Sequence, residues 1–600
     1  MDMTRSRHVA ASVAEGLQLL AGIATCAAVA AMQLVGCRSH VPPPSDGATG
    51  AMPVSIVSAH YFSTGDGDCD ETYEVVLRND GDSPVSLTSA LLDGRELKSP
   101  DLAAAAALKS FSFDIGGRSA AQRRVRNPSD PDVRWWQFYP SPTIPPRGHA
   151  AFMANFRGRA KSHALEVRMA DGTAVSHHVP RHVLGGRAIT YLGFSGDGRT
   201  ALVRHSAGVP PCGVSVNGKA IAGARMLPPA NAGLPGAVVM PLTPPVKKGD
   251  PVFVELSFPD GSRTSAFIRA MPGVYSTAPH GNRDDELLPE EVRRRFGFDD
   301  TLAVHRLPHD VACDDSRMRE PGASASACLA ARKSHLVARP LELSGVDFCT
   351  ALYPGVWNIY APMADAVFSK PYRLHWASAP ARFMEEESAM VADAVRHAAP
   401  RPVIWVPDRF GRETELEGRE FTMQAWCALL CGVRVVRCHH WKNDVRKPFD
   451  GNPGLEEAWM RFNADFRRMR PLVERLIPAN GWTDRNSRIA VLEGWCADEG
   501  ALLLVRNLDY STGVVSLRKP RLHPFRSSRR DSVSLSYPLP KWLVPDQAVD
   551  ALDGSRIEAA KDGARLTLRL ASIGDFRIVW IPSVDGGAAG SSLSAKETMQ

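Results

Sequence analysis

Residues 403–441 read VIWVPDRFGRETELEGREFTMQAWCALLCGVRVVRCHHW. Val403 to Val406 is a short apolar run that ends in Asp408 and Arg409. Arg419 to Cys431 reads as a helix, stopped by Gly432 where a helix C-cap favours glycine. Val433 to Cys438 is again β-rich and runs into His439, His440 and Trp441. Strand, helix and strand in that order make a parallel βαβ unit, the building block of α/β barrels and open sheets. In both architectures ligands bind beyond the carboxyl ends of the strands. Both strands here carry polar and aromatic groups at that end.

The same alternation extends upstream and downstream. Leu287 to Phe296 and Glu386 to His397 read as helices. Leu455 to Ile477 sets Trp459, Phe462, Phe466 and Met469 on one stripe of an amphipathic helix. Ala303 to Leu307 and Val346 to Leu352 read as strands. Residues 271–484 are therefore expected to form an α/β, TIM-like barrel. The segment is near the lower limit of roughly 200 residues for eight βα units, which leaves a truncated or irregular barrel open. The flanks are β in style. Short strands and turns such as Asn79-Asp80-Gly81-Asp82 and Asn217-Gly218 predict two immunoglobulin-like β-sandwiches, residues 54–183 and 184–270. A C-terminal β-sandwich is expected over 485–582, with turns at Asp553-Gly554 and Asp562-Gly563. Residues 583–600 are Gly, Ser and polar, and are expected to be a disordered tail.

The N-terminus reads as a targeting segment. Arg5, Arg7 and His8 are followed by an apolar stretch from Leu17 to Leu34. It ends in Leu34-Val35-Gly36-Cys37, which resembles the bacterial lipoprotein lipobox. The resemblance implies cleavage after residue 36, a diacylated Cys37 held by a lipid bilayer, and an extended tether over 38–53. Arg38 and Ser39 lack the Asp that retains such proteins on an inner membrane, so an outer-membrane location in the cell envelope is expected. The net charge of +6 is small for 600 residues and spread along the chain. No nucleic-acid motif accompanies the arginine runs, so no nucleic-acid partner is expected. Among the cysteines outside the leader, Cys313 and Cys328 flank a short loop and are the expected disulfide. Cys427 and Cys431, four apart on one helix, are expected to be buried small hydrophobes.

The run from Arg419 to Leu429, then Gly432 and a strand ending in an aromatic, resembles a late βα segment of bacterial glycoside-hydrolase-like barrels. The resemblance covers roughly residues 345–580. It implies a polysaccharide or oligosaccharide ligand and a pair of carboxylates, one protonating the leaving oxygen and one attacking carbon or activating water. The Asn-Glu-Pro motif common in such barrels is missing, which leaves a non-catalytic glycan-binding or scaffold protein as the alternative. Among acidic residues at predicted strand ends, Asp408 is the first choice because Trp405 and Arg409 flank it, and Asp310 is the second. Asp444 also falls at such an end, whereas Asp347 reads as too early in its strand and Asp365 sits in the following segment. Tyr353, Trp357, Trp405 and Trp441 are candidate platforms on which sugar rings stack. Arg409, His439 and His440 are the groups placed to hold sugar hydroxyls. His305, His309 and Cys313 are spaced four apart, but a strand does not bring them to one face, and no His-Glu-x-x-His occurs. Neither a metal nor a cofactor is expected.

Overall fold

A computed structural model describes residues 53–63, 70–97, 132–157, 162–180, 189–231, 234–277, 290–299, 304–310, 329, 332, 342–348, 357–369, 383–407, 418–437, 453–484, 487–497, 499–511 and 525–584. The chain is multidomain and mostly β. Strands Val54–Ser63, Asp70–Asn79, His149–Arg157 and Asp132–Tyr139 form one antiparallel sheet of the first unit. Strands Val85–Leu92, Ser162–Met169 and Ala174–Pro180 form the second sheet. Alternate residues of both, including Val75, Leu77, Phe152, Leu165 and Val167, meet in one core, as a two-sheet sandwich requires. The next unit repeats the plan. Ile189–Phe194, Thr200–His205 and Gly236–Pro241 face Gly213–Val216, Pro251–Ser257 and Arg263–Arg269 across a core that includes Leu192, Val203, Val238, Val254 and Ile268. Asn217 and Gly218 both have positive φ, 51° and 76°, the combination a two-residue hairpin turn needs.

The C-terminal unit is again antiparallel. Leu476–Asp484, Ile489–Cys496, Gly500–Asn507 and Phe576–Pro582 make one sheet, and Arg530–Pro538, Arg565–Ile573 and Glu558–Asp562 another. Leu476–Asp484 pairs with Ile489–Cys496, so residues expected to end the α/β region start this sheet instead.

Between the sandwiches lie six parallel strands: β1 (Tyr275–Thr277), β2 (Val304–Asp310), β3 (Leu343–Phe348), β4 (Ala366–Ser369), β5 (Val403–Trp405) and β6 (Val435–Arg437). Their ladders run β1-β6-β5-β4-β3-β2, and every one is parallel. The first strand pairs with the last, and β2 to β6 are neighbours in chain order. Among the described residues β1 and β2 do not pair, and the strands number six, not eight. A TIM barrel is not shown.

Among the described residues, the longer helices packed on one face are α1 (Phe383–Ala398), α2 (Gly418–Leu430) and α3 (Pro453–Val473). The stripe read from sequence is the buried face of α3, where Trp459 stacks on Phe421 of α2 at 4.2 Å. Gly432, with φ of 97°, ends α2 as a C-cap does; a side chain there would meet Pro478 and Tyr191. Cys427 and Cys431 are buried free thiols, as their helical spacing predicts, and burial pushes both above the ordinary thiol range.

Strand alternation sorts the sheet into two faces. Val346, Val367, Val403, Trp405 and Val436 join the core under the helices. Val304, Leu343, Ala366, Phe368, Ile404, Val406 and Val435 form a separate apolar cluster on the opposite face.

Candidate functional site at the carboxyl end of the parallel sheet

The two ends of the parallel strands have different chemistry. At the amino ends, Asp365 just before β4 is fully buried. It accepts from the Tyr139 hydroxyl at 2.9 Å, the Ser344 amide at 2.8 Å and the Ser344 hydroxyl at 3.0 Å. Arg269 and Arg332 each lie 3.5 Å from it. Burial alone would raise this carboxyl. The two guanidiniums, the Ser344 amide and the Tyr139 hydroxyl outweigh it and hold the group below its ordinary value.

Tyr139 sits between two cations, with Arg332 and Arg401 each 4.9 Å from its ring centre. Arg401 donates to the carbonyls of Ala364 and Phe267, and Arg269 to those of Gly249 and Glu342. Two guanidiniums share one carboxylate, and backbone carbonyls accept from Arg269 and Arg401. Gln137 completes the cluster by donating to the Pro362 carbonyl at 2.9 Å and accepting from Arg332. Arg434, just before β6, donates to the Tyr191 hydroxyl at 3.0 Å and to the Phe194 carbonyl. Both N-terminal sandwiches are thus fastened to the amino end of the sheet by buried polar contacts. That end is closed by the fold and acts in stability.

At the carboxyl ends the register brings acidic residues together. Asp310 ends β2 and Asp347 is the penultimate residue of β3, and the two are register partners across the parallel ladder. Neighbouring strands lie roughly 4.8 Å apart. The same register row continues through Phe368, Ile404 and Val435, whose side chains form the cluster on the face away from the helices. This corrects the sequence reading of Asp347. Its strand starts at Leu343, not Val346, so Asp347 stands near the carboxyl end. Gly345 allows that strand to approach β4, because any Cβ there would collide with the Phe368 ring.

Arg437, the last residue of β6, shares that face. It is register partner of Thr277, and its guanidinium lies 5.0 Å from the Phe368 ring centre. Sequence reasoning missed Arg437, although it stands two positions before His439 in the opening stretch. Alternation from Val435 was the signal that could have found it.

Two predicted sugar platforms are corrected. Trp405 is 0% exposed and lies on the helix-covered face, where its indole donates to Glu387 of α1 at 3.2 Å. Trp357 is 1% exposed and belongs to the same core, in the short helix Trp357–Tyr360 that contacts the first sandwich and α1. Neither offers a ring to a ligand. Asp365, a weaker candidate, is fixed at the amino end. Asp310 is placed by its backbone. Asp408, Arg409, Tyr353, His439, His440, Trp441, Asp444 and Cys37 lie outside the described residues, as do Cys313 and Cys328.

No protein-family model matches the chain, and no curated protein matches it. Among solved structures it is similar to an α-fucosidase of Thermotoga maritima, with 10% identity over 44% of this chain and 50% of that one, at a TM-score of 0.24. It is also similar to a cycloisomaltooligosaccharide glucanotransferase of Paenibacillus, with 7% identity over 66% and 99% and a TM-score of 0.30. A maltogenic α-amylase of Thermotoga neapolitana gives 10%, 52% and 77%, and 0.25. The chain spans about half the length of the fucosidase it matches. Scores at this level do not establish a shared fold, so the site is judged on the chain's own residues.

Proposed function

We propose that this protein handles a polysaccharide at the carboxyl end of a truncated six-stranded barrel. Asp310 and Asp347 are the carboxylate pair of a glycoside hydrolase. The observation that carries the reading is their register partnership, one strand spacing apart, at the end of a parallel sheet where ligands bind. The pairing of the first strand with the last supports the barrel.

In the mechanism, one carboxylic acid protonates the glycosidic oxygen as the bond to the anomeric carbon breaks. The other carboxylate attacks that carbon, and water then releases the sugar with the first group acting as base. This retaining scheme needs carboxyl groups roughly 5–5.5 Å apart, close to one strand spacing. Asp408 follows β5 in sequence. In this reading Asp408 serves to hold sugar hydroxyls together with Arg409, His439 and His440. Tyr353 and Trp441 remain the candidate stacking rings. The lipobox assigns Cys37 as the lipid anchor, which would hold the domains at an envelope surface.

The second reading is a non-catalytic glycan-binding protein. It is favoured by the missing Asn-Glu-Pro motif. Incubating the mature protein with a panel of envelope and extracellular glycans separates the two. Hydrolysis that is lost in Asp347→Asn supports the enzyme. Binding without turnover supports the second reading. A panel that yields neither overturns both. Loss of palmitate labelling in Cys37→Ala, with release from membranes, tests the anchor.

A further inference from the structure

We infer that the C-terminal sandwich carries a binding site of its own for a neutral oligosaccharide, walled by Trp482 and Trp542 and organised by the buried carboxylate of Glu493. The inference stands apart from any chemistry at the parallel sheet. Among the described tryptophans, Trp482 and Trp542 alone are partly exposed. Both rest on rings that one carboxylate holds. Trp482 stacks on Tyr537, with centroids 5.9 Å and planes 11° apart. Trp542 packs edge-on against Trp495 at 5.8 Å. The Tyr537 hydroxyl donates to Glu493 Oε1 at 2.6 Å, and the Trp495 indole donates to the same oxygen at 2.7 Å. Tyr537, Trp495 and Glu493 are all buried, so the two outer indoles stand on a fixed base.

Trp482 is the register partner of Val491. Alternation puts Val491, Glu493 and Trp495 on one face of their strand. The aromatic line therefore follows that strand for roughly 13 Å, the rise of four residues. Polar groups lie beside it. Leu476–Asp484 is the edge strand of its sheet, and its register slips between Pro478 and Gly481. Bulges of this kind re-aim side chains beside binding sites. Asn480, inside the bulge, is partly exposed and accepts from Arg204 of the second sandwich at 3.1 Å. Arg204 and Glu493 attract one another across the joint, which leaves no excess charge for an ionic ligand to answer. The Trp542 indole N–H is buried and has no acceptor among the described residues. A buried donor calls for an acceptor, and a sugar hydroxyl supplies one. Indole walls with amide and guanidinium groups at their rim suit the apolar ring faces and hydroxyl edges of a neutral sugar chain.

The experiment measures binding of cellohexaose, maltohexaose and xylohexaose to the mature protein by calorimetry. At least one is expected to bind wild type. Trp482→Ala should weaken that binding about tenfold, and Trp542→Phe, which removes only the indole N–H and part of the ring, by roughly threefold to tenfold. Trp482→Tyr should retain part of the affinity. If Trp482→Ala lowers the melting temperature, Trp482→Tyr and Trp542→Phe carry the test. Asp347→Asn should bind as wild type does, which keeps this site distinct from the parallel sheet. Affinity lost in Asp347→Asn but kept in the tryptophan variants places the ligand at the sheet and overturns the inference. Affinity unchanged in both Trp482→Ala and Trp542→Phe overturns it as well, as does the failure of all three probes to bind. Tryptophan-dependent binding supports it even where the protein hydrolyses nothing, so the outcome is separable from that of the hydrolase reading.

Discussion

Asp310 and Asp347 are register partners on adjacent parallel strands, at the ends farthest from the buried Asp365 cluster. One strand spacing favours attack by a carboxylate over attack by a water held between two distant ones. The products are therefore expected to keep the anomeric configuration of the substrate. Proton NMR of the first-formed sugar reads this directly. An inverted product would overturn the pairing of Asp310 with Asp347 as acid and nucleophile.

Asp365→Ala should leave Arg269 and Arg332 buried without their carboxylate. Removing one partner of a buried pair costs roughly 3–5 kcal/mol. Tyr139→Phe loses a donor to Asp365 and an acceptor for the Arg269 amide, at 2.9 and 2.8 Å, and should cost roughly 1–3 kcal/mol. Chemical denaturation measures both. A change below about 0.5 kcal/mol in Asp365→Ala, the size of an ordinary surface substitution, would show that the cluster does not hold the domains.

Trp405 and Trp357 test which face of the sheet meets the ligand. Trp405→Ala opens a cavity under α1 and should destabilise by roughly 3–5 kcal/mol. Glycan affinity per folded molecule should stay within a factor of two or three. A selective loss of affinity at full stability would return Trp405 to the site.

Acid should loosen the fold. His149, His205 and His397 are each lowered to about 4, mainly by burial, with Arg78, Arg204 and Arg396 respectively adding repulsion. The fold holds them neutral, whereas the unfolded chain protonates near 6.5. Their contribution is present above that value and is lost as pH falls from about 6.5 towards 4. Each shift corresponds to roughly 3 kcal/mol at most. His163 opposes this. Burial lowers it, but bonding to Glu71 and Asp93 raises it overall, so its contribution is present at low pH and fades as pH rises. Urea midpoints at pH 7.5, 5.5 and 4.5 should fall in that order. His149→Gln, which removes a ring stacked 4.7 Å from Phe253, should flatten the dependence. An unchanged slope would exclude His149 as a contributor.

The opening stretch carried the βα order in its own residues, because Gly432 stops a helix locally and Val435-Val436 restarts a strand. It did not carry the faces. Parallel strands are apolar on both sides, so nothing in Val403-Ile404-Trp405-Val406 tells which side meets helices. That is why Trp405 was read as a platform. Asp347 was misread because an apolar run was started at Val346, three residues after the strand begins. The amino-end cluster had no local signal at all: Gln137, Arg269, Arg332 and Asp365 meet only through the fold. Arginines in sequence suggest surface, and only packing shows which are interior.

The most direct test sets kcat/KM of Asp347→Asn beside its melting temperature, on whichever glycan the wild type cleaves. The account predicts a fall of roughly 10²- to 10⁴-fold, the range for a lost acid or base, with the melting temperature unchanged or raised. Unchanged turnover in both Asp347→Asn and Asp310→Asn would contradict it.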